Sequence, residues 1–127
     1  QNSNDMKITV TTRQPELMEN GLYKVPIEIH IPMESLTMLQ QGEVYAGGFT
    51  VFIAASDKNG DMSDVSRQEH QLRVPEGELD KTKGKYYTYS AELMMNKGRN
   101  KISVGVVDEI SKTTGFEKQE VLANDLR

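Results

Sequence analysis

The densest group of potential ligand atoms in the sequence is Asp57-x-Asn59-Gly60-Asp61-x-x-Asp64. Its carboxylates and amide are hard oxygen donors, the kind Ca²⁺ takes in sets of roughly six to eight. The spacing is not that of an EF-hand: Gly60 is the fourth residue of the string rather than the sixth, and the twelfth is Gln68 rather than a bidentate Glu. Asp and Asn followed by Gly is also the composition of a tight turn. These residues tolerate left-handed backbone, and their side chains accept nearby N–H groups. Asp57, Asn59, Asp61 and Asp64 are therefore Ca²⁺ candidates for which turn chemistry is the preferred reading.

The other candidate groups have equally plain readings. Glu76, Glu78 and Asp80, and the pair Asp108 and Glu109, fall in expected loops where general acid–base work is conceivable. With 19 acidic residues in 127, neighbouring acids arise by chance, and a solvated surface is the expectation. Lys81, Lys83 and Lys85 precede a tyrosine-rich strand and suit a loop and sheet edge kept soluble by charge. His30 and His70 are the only histidines, one on the outward face of a strand and one in a polar stretch, and both read as surface residues. Tyr86 is the one tyrosine of Tyr86, Tyr87 and Tyr89 that faces away from the core, so it alone could stack on a sugar ring. Leu93-Met94-Met95 reads as gap-filling core packing.

Cysteine is absent, which excludes disulfides, thiolate nucleophiles and Cys-ligated zinc. A formal net charge of −4 is unlike a general nucleic-acid binder, which carries excess Lys and Arg. Nucleotide-binding glycine loops, HExxH and GxSxG are all missing. The sequence supplies no catalytic residue and no cofactor site, so the expectation is a protein that is not an enzyme.

The elements that position these groups repeat with period two. Met6, Ile8 and Val10 alternate with polar residues; Val25, Ile27, Ile29 and Ile31 alternate with Pro26, Glu28, His30 and Pro32. Proline on those outward positions predicts an edge strand or a strand end. Leu36–Leu39 fits a short strand or a turn of helix. Phe49–Ala55 is apolar on both faces and predicts a central strand, with Val65–Val74 as its return beyond the Asn59-Gly60 turn. A polar loop over 76–85, a strand from Tyr87 to Met95, a turn over 96–100, a strand at Ile102–Val106, a loop over 108–115 and a strand at Phe116–Leu122 complete the chain. Residues 123–127 read as a tail. This pattern predicts an all-β fold, a single antiparallel immunoglobulin-like or fibronectin-like β-sandwich of about seven to nine strands with a core over about 6–122. A closed barrel is the alternative. No apolar run is long enough to span a bilayer. The first residues, Gln1 to Asp5, read as the start of a piece excised from a longer protein.

Several segments taken in order resemble a known arrangement: Val25–Pro32, then Leu36-Thr-Met-Leu39, Gly47–Asp57 and Asn59-Gly60, then Tyr87–Leu93, Gly98, Ile102–Asp108 and Gly115. Together they are similar to the C-terminal β-sandwich region of bacterial proteins with a von Willebrand factor A-related (VWFA-related) domain. The match runs over roughly residues 22–123. It departs at Gly98-Arg-Asn-Lys, where a tyrosine is expected after the glycine. The A-domain's own metal motif, Asp-x-Ser-x-Ser, is not present, and Asp64-x-Ser66-x-Gln68 lacks its second serine, so no metal site is carried over.

The resemblance implies an extracytoplasmic, periplasmic or secreted, accessory module. Its expected partners are another protein or neighbouring domains of the same chain, among them a von Willebrand factor A domain. The expected function is a non-catalytic accessory or protein-interaction module, monomeric as an isolated domain, without nucleic acid or membrane insertion. The alternative is a ligand-binding module for carbohydrate or Ca²⁺ that uses the Asp57–Asp64 turn or Tyr86.

Overall fold

Val25, Ile27, Ile29 and Ile31 are all fully buried, while the residues between them are only partly covered. That alternation makes the strand Tyr23–Pro32 (β3) the spine of one sheet. The structure is a computed structural model that describes residues 3–63 and 65–124. In chain order its strands are β1 (Thr9–Thr12), β2 (Glu16–Leu17), β3, β4 (Leu39–Gln41), β5 (Val44–Asp57), β6 (Ser66–Pro75), β7 (Tyr86–Met95), β8 (Gly98–Asp108) and β9 (Thr114–Ala123). All pairings are antiparallel. An all-β sandwich of the immunoglobulin-like or fibronectin-like kind is what they build.

β7 pairs with β3 along its whole length, so β1 and β2 share the opposite edge of β3 as one interrupted strand. In the second sheet β5 is central. β6 lies on one edge of it, β4 and β8 share the other, and β9 follows β8. The two inner faces meet through Phe49, Val51 and Ile53 of β5, Ile102, Val104 and Val106 of β8, and the isoleucines of β3. Burial of this apolar surface is the main force holding the sheets together.

β3 departs from the expectation drawn from its prolines, because it has neighbours on both sides. The Pro26 carbonyl accepts the Arg13 N–H, and Arg13 lies in the bulge between β1 and β2. A strand residue points its N–H and C=O to the same edge, so the missing N–H of Pro26 falls on the β1–β2 side, where the ladder breaks off after Thr12 and only the Arg13 bond is made, and the pairing with β7 loses no donor there.

The chain start differs too. Asn4–Ile8 is a loop rather than a strand: the Asn4 carboxamide accepts the Ile8 N–H and donates to the Ile8 carbonyl, with Lys7 in the left-handed region at φ 58°. The loop still buries Met6 and Ile8 completely, because the Met6 N–H bonds to the Thr114 carbonyl on β9. The 76–85 segment contains a 3₁₀ helix (Glu76–Thr82), and Met33–Ser35 is a 3₁₀ turn that precedes β4. Ala123 is fully buried at the end of β9, so it belongs to the core rather than to a tail; residues 125–127 lie outside the described ones.

Candidate interaction site on the open side of the sandwich

The ring of Tyr87 on β7 touches Phe49 on β5 (centroids 5.2 Å apart) and His70 on β6 (6.1 Å). β7 therefore sits above β5 and β6. The further residues on that face of β6, Ser66 and Gln68, remain exposed, so they form an uncovered ledge. The free edge of β7 borders this ledge and pairs with no strand among the described residues.

His70 occupies this side, not the surface position expected of it. Its ring stacks on Phe49 at 5.1 Å and meets Tyr89 edge-on at 4.8 Å. Its Nε2 is buried with no hydrogen-bond partner among the described residues. The sequence signal was available in part: His70, Leu72 and Val74 alternate with charged or polar residues, which places His70 on the inward face.

At the far end of β7 lies a cavity of about 180 Å³, lined among others by Met62, Met94, Met95, Asp57, Asp61 and Asn96. Met62 bridges to Ser56 on the edge of β5 opposite β8, so the cavity opens on the same side as the ledge. Met62 and Met94 are 69% and 44% exposed, whereas Met95 is core. The expectation of core packing for the Leu93–Met95 segment thus holds for Met95 and fails for Met94, which points outward on β7.

The Asp57 turn explains itself by hydrogen bonds. The Asp57 Oδ1 accepts the N–H groups of Asn59 (2.9 Å) and Asp61 (3.0 Å), and its Oδ2 accepts from the Asn96 side chain (3.2 Å). Desolvation raises the Asp57 carboxyl pKa, but the N–H groups of Asp61, Asn59, Asn96 and Asp57 itself together outweigh it and hold the group below its ordinary value. Gly60 at φ +86° supplies the left-handed residue the turn needs. Asn59 and Asp61 are exposed, and Asp64 lies outside the described residues. Among the described residues no three His, Asp or Glu side chains converge as metal ligands.

The remaining candidates separate. Asp108, expected on the surface, is fully buried: its Oδ2 accepts the Thr37 N–H at 2.7 Å, and its Oδ1 accepts those of Ile110 (2.8 Å) and Ser111 (3.0 Å). Glu109 lies over Gly48 on the outer face and accepts from Thr50 and Gln71. Lys81 pairs with Glu78 on the 3₁₀ helix and Lys83, its C-cap, with Asp80, both at i,i+3, so two of the three lysines of that run have a carboxylate beside them. Tyr86 is 58% exposed, as expected, on the outer face of the β3–β7 pair. Near it, His30 Nδ1 lies 3.2 Å from Thr88 Oγ1, and its Nε2 lies 3.6 Å from Glu28 Oε1. This hydroxyl–imidazole–carboxylate row was not legible from spacing, since Thr88 reaches His30 only through the β3–β7 register. It lies on an open sheet face, and the same Glu28 oxygen is taken by Arg13 at 2.9 Å.

Comparison with known proteins adds the fold alone. No family model and no curated protein matches the chain. Among solved structures, the X-ray structure of Northeast Structural Genomics Consortium target SoR45 superposes with a TM-score of 0.60 at 14% identity, covering 94% of this chain and 88% of that one. A Bacteroides uniformis β-glucuronidase matches at a TM-score of 0.48 and 12% identity, over 91% of this chain but 13% of that one.

Proposed function

We propose that this sandwich is a non-catalytic protein-interaction module of a larger extracytoplasmic bacterial protein, and that it takes an extended segment of a partner as an added strand on β7. The observation that carries the reading is the character of the sheet edges. β6 bears Arg67, Glu69, Arg73 and Pro75; β9 bears Glu117, Lys118 and Glu120; the β1–β2 edge is broken by a bulge. Such features blunt an edge against pairing. β7 is ten residues long, contains neither Lys nor Pro, and has Glu92 as its single charge. An unprotected edge of this length is what strand addition requires. The open setting of the Thr88–His30–Glu28 row supports the non-catalytic part, because hydroxyl nucleophiles work in water-excluding, oxyanion-stabilising sites. The extracytoplasmic setting beside an A-domain rests on the segment order similar to VWFA-related proteins.

Hydrogen exchange in the full-length protein tests this. On assembly with its partner, exchange is expected to slow at the β7 amides, and Ser90→Lys with Glu92→Lys on the solvent face is expected to abolish the slowing while leaving the circular dichroism intact. Slowing confined to β6 or β9 would overturn the reading.

A second reading rests on Tyr86, whose exposed ring stands edge-on to His30 at 6.4 Å beside a row of hydroxyls. A neutral sugar stacked there predicts glycan-array binding that disappears in Tyr86→Ala.

A further inference from the structure

We propose that the β7 site selects its partner at one end: the incoming strand carries a bulky apolar residue that fills the cavity between Met62 and Met94, preceded by a lysine or arginine that meets Asp61. This deepens the strand-addition reading and rests on it. Three observations converge. First, the cavity is continuous with the edge, since Met94 and Met95 are the last residues of β7 and Met62 stands across the open side. Second, its size suits one side chain: about 180 Å³ compares with the roughly 150 Å³ that accommodates a benzene ring. Its apolar wall, Ala55 with Met62, Met94 and Met95, adapts to different apolar guests, and Ser56, Ser63, Asn96 and Asn100 make up a polar part of the lining. Third, the charge is one-sided. Among the described residues no Lys or Arg lines this cavity, whereas Lys58, Arg99 and Lys101 line a separate one on the other side of the turn. Asp61 is exposed and has no ion pair among the described residues. A strand antiparallel to β7 enters at the Met95 end, so the cation and the apolar anchor are its first residues. The occupant is thus an extended basic–apolar segment of a partner protein.

The test uses the 127-residue chain and a fluorescein-labelled peptide, Lys-Leu-Thr-Val-Thr-Val-Thr-Val-Thr, read by anisotropy with β7 amide exchange in parallel. Replacing the peptide Leu by Ala is expected to weaken binding about tenfold or more. Replacing the peptide Lys by Glu is expected to weaken it at low salt, with the gap closing near ~0.5 M salt. Met62→Gln and Met94→Gln, both at exposed positions, are expected to remove the preference for Leu over Ala and keep the residual binding. Equal binding of the Leu and Ala peptides, with β7 protected, would overturn the end selection and leave strand addition standing. Absence of β7 protection with every peptide would overturn both.

Discussion

At the residue scale, Asp108 shows how a carboxylate can be structural. Its oxygens satisfy three backbone N–H groups that no strand ladder reaches, and they tie the β8–β9 turn to Thr37 in the segment before β4. Asp108→Ala removes the acceptor of all three donors from a buried position; because Ile110 and Ser111 are exposed enough for water to replace part of what is lost, the expected loss is about 1–3 kcal/mol. Asp108→Asn keeps one acceptor oxygen and is expected to lose less; urea midpoints at unchanged m values measure both. Asp57 gives a pH signature instead. Its folded pKa lies below the unfolded one, so its contribution is complete above the unfolded value and fades as the pH falls through the folded value. The stability gap between wild type and Asp57→Asn is therefore expected to be flat above about pH 5 and to shrink below about pH 4, followed by urea midpoints across that range. The turn role of Asp57 was legible because Asx chemistry is local. The burial of Asp108 was not, since it comes from Thr37, distant in sequence; for His70 the alternation along β6 gives the inward face, but the Tyr87–Tyr89 strand that covers its ring comes from far along the chain.

Strands and turns were largely legible as elements, because alternation is recorded in each segment's own residues: Val25–Ile31 and Ile102–Val106 point inward as their period dictates. Which strand lies beside which is not recorded there. Pro26 suggested an edge, yet its strand is central because the bulge after β1 absorbs the missing donor. For the same reason β7 looked like any alternating strand, and its free edge emerged only with the sheet order. Close packing between elements leaves its mark at Gly115, on the inner face of β9. A Cβ there would lie 2.9 Å from Asn4 Oδ1, 3.0 Å from Ile8 Cγ2 and 3.1 Å from Met6 Cβ. Gly115→Val is expected to cost about 1–3 kcal/mol by overpacking. Gly105, on the outer face of β8, meets nothing closer than 3.9 Å, so Gly105→Ala is expected to be neutral or slightly stabilising. Thermal midpoints of the two variants, measured side by side, check the contrast.

The whole molecule is held shut by a segment that belongs to neither sheet. Met6 and Ile8 precede β1 and are completely buried; they lean on β9 of one sheet and continue into β1 of the other. The Asn4 side chain fixes their loop and donates to Glu117 on β9, and the Ser35 hydroxyl donates to the Met6 carbonyl at 2.7 Å. This clasp lies across the sandwich from the open side, since the first strand sits near β9 and β7 sits over β6. A domain of this construction unfolds as one unit, because the clasp cannot leave without uncovering both inner faces. Deleting residues 1–8 removes two buried side chains, each worth roughly 1.5–3 kcal/mol, so the expected loss is about 4 kcal/mol. Against a total stability of about 5–15 kcal/mol that is a large share, equivalent to a fall of roughly 15 °C in Tm. Calorimetry of the truncated chain is expected to show a single transition at the lower temperature. An unchanged midpoint would mean that the two sheets close without their clasp, and a split transition would mean that they unfold separately.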